Sequence, residues 1–383
     1  MTHRHRFFQM LAGQTPKPAL FFPDITDWYS AMRTPAGQER HYGAGGMIPD
    51  GIPLHQEPGS MPAEFQGMTF LDFYRRFGWG LPIHGYSWYK TLYDGVEMTD
   101  VRQGGLRTTT WTCSAGTLVE KHMLAGDGSW AITEHRVKDL ADLRVMRYIV
   151  EHTSYKPRYD HLQKLMDQIG ENGVCDVVLQ RSPFGKLVHM YMGFENVIYN
   201  LADSPREILD FLAFQEHYDL QMAHLAAASP ARVVIMSDHT DENLVSPSQY
   251  RQYCIPFYQK INAILHQAGK FVSTHLDGNI RGYMPLLKET GFDLLDGCTP
   301  APMMNYEIEE LARAMGKNMY CWCGVPATLF CQGLDDEEIL DYGRRILDAF
   351  EGRVILNIGD ILPPNGDIRQ VIRLGQFASQ YGL

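Results

Sequence analysis

The chain lacks a basic excess, a long apolar run and any paired pattern of cysteines, and each absence closes a class of function. Its formal charge is −11, from 34 Lys and Arg against 45 Asp and Glu. The broad basic surface of a nucleic-acid binder is therefore missing, although a local basic pocket for an anionic ligand is compatible with that total. No stretch approaches the roughly 18 to 20 apolar residues of a membrane span. The apolar run in "MTHRHRFFQMLAGQTPKP" is too short for the core of a secretory signal. Seven cysteines, an odd number at irregular spacing, do not read as a disulfide framework and fit a reducing compartment. The expectation is a soluble, cytoplasmic protein with no nucleic acid and no membrane among its partners. Internal repeats, low-complexity tracts and a Gly-rich phosphate turn after the first strand are also missing. The last absence argues against an open dinucleotide-binding sheet.

What remains is an ordinary globular composition, 45% hydrophobic and 21% charged over 383 residues, enough for one large α/β domain. Short apolar runs alternate with amphipathic stretches: "ALFF", "CDVVLQ", "RVVIMS", "KFVST", "FDLLD", "MYCWC" and "RVILNI". These runs are apolar on both faces, as parallel strands between helices are. A weaker eighth is "LPIHGYSWY", from Leu81 to Tyr89. Between them, "SPREILDFLAFQEHYDLQMAHLAAAS" and "SPSQYRQYCIPFYQKINAILHQAG" open on a serine cap and a proline in the first turn. Eight strand–helix units predict a (β/α)8 TIM barrel, an α/β fold, as a single domain over residues 1–383. "VRQGGLRTTTWTCSAGTLVEKHML" departs from the rhythm. Its glycine turns and alternation predict a small β-hairpin insertion at about 101–124, in the first third of the barrel.

In such a barrel the strand ends converge on one rim. "RVVIMS" runs into Asp238, His239, Asp241 and Glu242, and "KFVST" into His275, Asp277 and Asn279. "FDLLD" is followed by Cys298, "MYCWC" ends on Cys323 and "RVILNI" leads to Asp360. Polar side chains on five successive strand ends are the main functional signal. His275 and Asp277 suit one cation; equally, Asp277 can cap a helix opening near Asn279 while His275 is a satisfied rim histidine. The acidic group Asp238, Asp241 and Glu242 suits a general acid or a solvated loop. Cys321 and Cys323 share a strand face opposite Trp322 and read as small hydrophobes. Cys298, just past its strand, is the better thiolate candidate.

The stretch "LVSPSQYRQYCIPFYQKINAILHQAGKFVSTHLDGNIRGYMPLLKETGFDLLDG" and the later "RVILNIGDILPPNGDIRQVIRLG" resemble the uroporphyrinogen decarboxylase superfamily, as do "RFFQMLAGQTPKPALFFPD" and "AGTL" with its flanking hairpin. The resemblance spans nearly the whole chain. It implies either cofactor-free decarboxylation of uroporphyrinogen or methyl transfer to or from a corrinoid. The arginine-bearing "RQAGR" of the decarboxylases is replaced by "PDITDWYSAMR", where Arg33 is the only cation, so a tetrapyrrole with eight carboxylates would be poorly held. Similarity to the corrinoid-dependent methyltransferase branch is closer. That branch holds zinc through a histidine and two cysteines; His275 matches its histidine, and Asp277 and Asp360 stand where its cysteines would be.

The resemblance therefore implies a methyltransferase working between a corrinoid carrier, presented as co-substrate by a partner protein, and a small-molecule donor or acceptor. A divalent metal, zinc first, would be held by His275, Asp277 and Asp360, with Cys298 or Cys323 as less favoured ligands. Asp238, Glu242 and Asp360 are the expected catalytic carboxylates, and Tyr191, His239 and Asn279 the expected substrate-binding residues. A homodimer would match the family. The alternative is a cofactor-free decarboxylase or lyase of a small organic acid.

Overall fold

The computed structural model describes residues 1–33, 61–125 and 129–382. Eight parallel strands form the central sheet, numbered here as barrel strands only: β1 (Leu20–Phe21), β2 (Leu81–Gly85), β3 (Gly173–Leu179), β4 (Val233–Met236), β5 (Phe271–His275), β6 (Leu294–Cys298), β7 (Tyr320–Pro326) and β8 (Val354–Gly359). Each is paired to its sequence neighbour from β2 round to β8, and β8 pairs with β1. Between β1 and β2 the ladder is replaced by one backbone bond, Gly80 N–H to Phe21 O at 2.9 Å. The expected (β/α)8 barrel is therefore the observed fold, and all eight apolar runs contribute a strand.

Alternation along each strand sorts side chains into two layers. Leu20, Val174, Val233, Leu294, Trp322 and Ile355 meet in one cluster with Phe7, Met10 and Leu11 of the N-terminal helix His3–Leu11. That helix closes the floor of the barrel, capped by Thr2, whose side chain accepts from His5 N–H at 3.2 Å. Residues of opposite parity, Cys321 and Cys323 among them, join the larger core against the surrounding helices.

Residues 101–124 lie in a four-stranded antiparallel sheet wider than the hairpin expected there: Val96–Gln103, Leu106–Cys113, Gly116–Leu124 and Trp130–Glu134. The outer strands were not visible to pattern reading because the first is almost wholly exposed, with no apolar alternation, and the last is short. Pro205–Ala227 is one long helix. The other serine–proline opening begins with a capping box between Ser246 and Gln249 and passes through a π turn, Tyr250–Cys254, into the helix Ile255–Gln267. Among the described residues no helix is long and apolar enough to cross a membrane.

Candidate active site

The C-terminal strand ends gather a dense set of histidines and carboxylates at the mouth of the barrel. His275 closes β5, and its register partner on β6 is Asp296. Partners on adjacent parallel strands point to the same face, so His275 Nδ1 and Asp296 Oδ2 meet at 2.6 Å. This leaves Nε2 directed at two further carboxylates: Asp277 Oδ2 at 3.6 Å and Asp360 Oδ1 at 3.5 Å. Neither is a good hydrogen bond.

His239, three residues beyond β4, brings Nδ1 to 3.2 Å from the same Asp277 oxygen, while its Nε2 is 2.9 Å from Ser237 Oγ. The two imidazole centroids are 4.3 Å apart. Backbone strain accompanies this convergence. His239 (φ 48°) and Asp360 (φ 63°) are two of the three non-glycine residues with positive φ among those described, a conformation that costs energy and concentrates at functional sites. Gly297 leaves room for the His275 ring: a Cβ there would lie 2.6 Å from Cε1.

The charges follow from this packing. Burial works against a charged His275, but Asp360, Asp277 and Asp296 outweigh it and hold its pKa well above the usual imidazole range. Burial likewise opposes the Asp277 charge, yet the hydrogen bond from His239 and the nearby His275 imidazole pull its carboxyl well below the ordinary value. Burial lowers His239 and raises Asp360, with Asp277 and Asp296 pushing Asp360 the same way.

A second histidine–carboxylate dyad stands beside the first. His84 on β2 and Asp176 on β3 are register partners, and His84 Nδ1 lies 2.9 Å from Asp176 Oδ2. Against the opposing effect of burial, Asp176 pushes His84 up to about 10. Asp24, past the end of β1, is pushed up to about 6 by burial, against the hydrogen bonds from Thr26.

His239, His275 and Asp277 each offer a ligand atom, all within 4.8 Å of one another. Bond lengths of about 2.0–2.2 Å would set neighbouring ligand atoms of a tetrahedral ion about 3.3–3.6 Å apart. The His239–Asp277 and His275–Asp277 separations of 3.2 and 3.6 Å are near that spacing; Asp360 approaches His275 to 3.5 Å but lies outside the three-residue group. Asp296 behind His275 is the carboxylate that commonly orients a metal-bound imidazole and leaves the other nitrogen free.

The sequence-derived candidates divide. His275, Asp277 and Asp360 come together. Asp277 caps no helix; the Asn279 N–H it was positioned to accept goes instead to Asp241, at 2.8 Å. His239, expected to contact substrate, joins the candidate ligand set.

The remaining candidates are occupied elsewhere. Asp238 is fully buried, with Oδ1 accepting from Ser182 N–H at 3.0 Å and Oδ2 from Tyr258. Glu242 accepts from the Gly282 amide and, at 2.5 Å, from Asn305. Both therefore act as clamps between loops rather than as acids facing the mouth. Asn279 is bound to Asp241 through its side chain as well, at 3.0 Å. Tyr191 packs 6.4 Å from Phe211, with the Arg136 guanidinium 5.5 Å from its ring. Since Arg136 also lies 4.1 Å over Trp111, Tyr191 attaches the antiparallel sheet to the barrel. Cys298 and Cys323 are fully buried in the core facing the helices, and neither belongs to the candidate ligand group.

Sequence reasoning did not single out Asp24, His84, Asp176, Arg181, His189 or Asp296. His84 sat in the weakest strand, and Asp176 and Asp296 are carboxylates inside apolar runs. A charged residue within a run otherwise buried on both faces was the available signal.

The sequence model of the family described as "Uroporphyrinogen decarboxylase (URO-D)" matches residues 120–381. None of the curated proteins compared by sequence matches the chain. Among solved structures, a methyltransferase from Methanosarcina mazei superposes with a TM-score of 0.61 at 12% identity, covering 99% of this chain and 98% of that one. A B12-independent methionine synthase from Shewanella sp. W3-18-1, in complex with selenomethionine, gives a TM-score of 0.46 at 9% identity over 94% and 95% of the two chains.

Proposed function

The chain belongs to the uroporphyrinogen decarboxylase family, and on that premise we propose that it is a methyltransferase using a cation site of His239, His275 and Asp277, with Asp360 beside it. The observation that carries this reading is the set of ligand-like separations around His275 Nε2, with Asp296 fixing the other nitrogen. The fold shared with the Methanosarcina mazei methyltransferase across nearly the whole chain supports it by analogy. The methyl group moves between a small-molecule donor or acceptor and a corrinoid carrier on a partner protein.

In methyl transfer from CH3–X–R, the attacking nucleophile supplies the electron pair of the new bond to carbon. The C–X pair goes to the heteroatom X, which must be stabilised as it gains charge. A divalent cation, zinc first, would supply Lewis-acid stabilisation of X in that role. The protein's own residues do the rest. Asp296 holds the His275 ring and its tautomer. Asp277 is shared between both imidazoles, and Ser237 fixes His239. Asp360, whose pKa burial raises against the pull of His275, stands beside the site as the group placed to deliver a proton to X. A site with two carboxylates is harder than one with thiolates and discriminates less sharply for zinc.

The test is elemental analysis of the purified protein with His239→Ala, His275→Ala and Asp277→Ala as controls, alongside the visible spectrum of added cob(I)alamin with candidate methyl donors. Near-stoichiometric metal that the substitutions abolish, with methylation of the cobalamin, is the expected outcome. A metal-free wild type even after zinc loading, with release of CO2 from a small acid and no cobalamin change, would instead establish the decarboxylase alternative.

A further inference from the structure

We infer that Arg181, with His189 beside it, is the binding site for an anionic group, a carboxylate or sulfonate, on the small molecule that gives or takes the methyl group. This deepens the methyltransferase reading and rests on it.

The mouth is acidic, with Asp24, Asp176, Asp277, Asp296 and Asp360 all contributing. Arg181 is a cation set into that wall, two residues past β3. Its neighbour Ser182 donates its backbone N–H to the Asp238 carboxylate at 3.0 Å, and Arg181 itself donates through one nitrogen to the Asp238 backbone carbonyl. Asp238 immediately precedes His239, so the guanidinium is anchored beside a candidate metal ligand. Among the described residues, Arg181 has no carboxylate within ion-pair distance, and its other N–H groups have no protein acceptor. It is nonetheless shielded enough from water that burial lowers its pKa. Arg181 is only partly buried and none of its nitrogens is buried without a partner, so its spare N–H groups are open for a ligand to complete.

His189 supplies the independent observation. It lies in a π turn, Leu187–Tyr191, a distortion that is frequent at functional sites. Its Nε2 is buried without a hydrogen-bond partner. Burial and the adjacent Arg181 push its pKa down to about 4, and Asp238, His239 and Asp277 are also among the charges it senses. The ring is therefore neutral at pH 7 and close enough to Arg181 to feel its charge. A carboxylate or sulfonate presents two or more coplanar or clustered oxygens, which the guanidinium fork matches better than a lysine would. Because Arg181 is anchored next to His239, the anionic group and the reacting heteroatom must belong to one compact organic acid rather than to distant parts of a large molecule.

The experiment titrates sodium acetate and sodium methanesulfonate into the protein as purified and after chelator treatment, at constant ionic strength against sodium chloride, reading the melting temperature. Saturable stabilisation is expected at millimolar anion, and it should survive chelation. Arg181→Gln should weaken apparent binding about tenfold or more, Arg181→Lys by less, and His189→Gln by a smaller factor still. The lysine variant keeps the charge and guards against misreading a folding defect. Equal responses from wild type and R181Q, no saturable response from the wild type, or a response that disappears with the metal would each overturn the proposal. Failure of the methyltransferase reading is separable. A metal-free protein inert towards cobalamin that still binds acetate through Arg181 removes that reading alone. An active methyltransferase in which R181Q binds acetate as wild type does removes this one alone.

Discussion

Replacing Asp296 by asparagine is the most direct perturbation of the candidate cation site, because it changes charge and leaves shape almost untouched. Asp296 is 5% exposed and meets His275 Nδ1 at 2.6 Å across the β5–β6 ladder. With a carboxylate behind it, the imidazole is oriented and made more basic towards whatever Nε2 binds. An asparagine keeps an acceptor oxygen but loses the negative charge. It can also turn its amide towards Nδ1 and favour the wrong tautomer. Removing such a partner typically weakens metal affinity 10- to 100-fold, or about 1.4–2.7 kcal/mol. The assay is competition for zinc against a chromophoric chelator at pH 8, where protons compete least with the metal. Asp176→Asn makes the equivalent change in the neighbouring dyad with His84, also built from register partners, but outside the ligand group. It should leave zinc affinity within about threefold. The reasoning fails if D296N binds zinc as wild type does. It also fails if D176N loses as much, since the effect would then be general mouth electrostatics rather than support of His275.

Two other changes test roles assigned by the fold. Glu242→Gln should lower stability by about 1–2 kcal/mol in a denaturant titration, because the charged acceptor for the Gly282 amide and Asn305 is lost; its zinc content should match wild type, and a loss of metal would return Glu242 to the site. His3, stacked edge-on against Phe22, is pushed down to about 4 from 6.5 by burial, with Arg6 adding to the effect. Its unfolded value exceeds its folded one, so its contribution is complete above pH 6.5 and is lost as the pH falls towards 4. Discounted for partial exposure, that amounts to about 1–2 kcal/mol. Wild type should lose that much more stability than His3→Asn between pH 7 and 4.5, and parallel losses would refute it.

The sequence made the strands legible because parallel strands buried on both faces are continuous apolar runs, and even the weak "LPIHG" segment occupies a barrel position. It also located His275, Asp277 and Asp360, since strand ends in a barrel must converge. It did not reveal which face each residue takes. Cys323 and Trp322 are neighbours in sequence, yet one packs towards the helices and the other into the barrel floor. Cross-strand register was likewise hidden. Nothing local marks Asp296 as the partner of His275 or Asp176 as the partner of His84, because those pairings depend on how far each strand slides along the next. Asp238 and Glu242 looked like acids in an open loop, and only the packed structure shows their oxygens already taken by Ser182, Tyr258, Gly282 and Asn305.

The seam between β1 and β2 gives the barrel an adjustable circumference. Seven of the eight strand junctions are zipped by backbone ladders that fix their spacing. At the eighth, one amide bond is assisted by packing, with Phe21 edge-on to Trp79 at 5.9 Å and the Tyr74 hydroxyl donating to Pro23 O at 2.8 Å. Gly80 is there because a side chain would run into the Phe22 ring. Side-chain contacts yield to small displacements more readily than a ladder does, so strain from a bulky occupant is relieved along this line first. Asp24 and His84 stand on opposite lips of it. The aperture on that flank is thus tuned by aromatic packing at the wall, while the opposite flank, where His275 meets Asp296, is held at fixed width by the ladder itself.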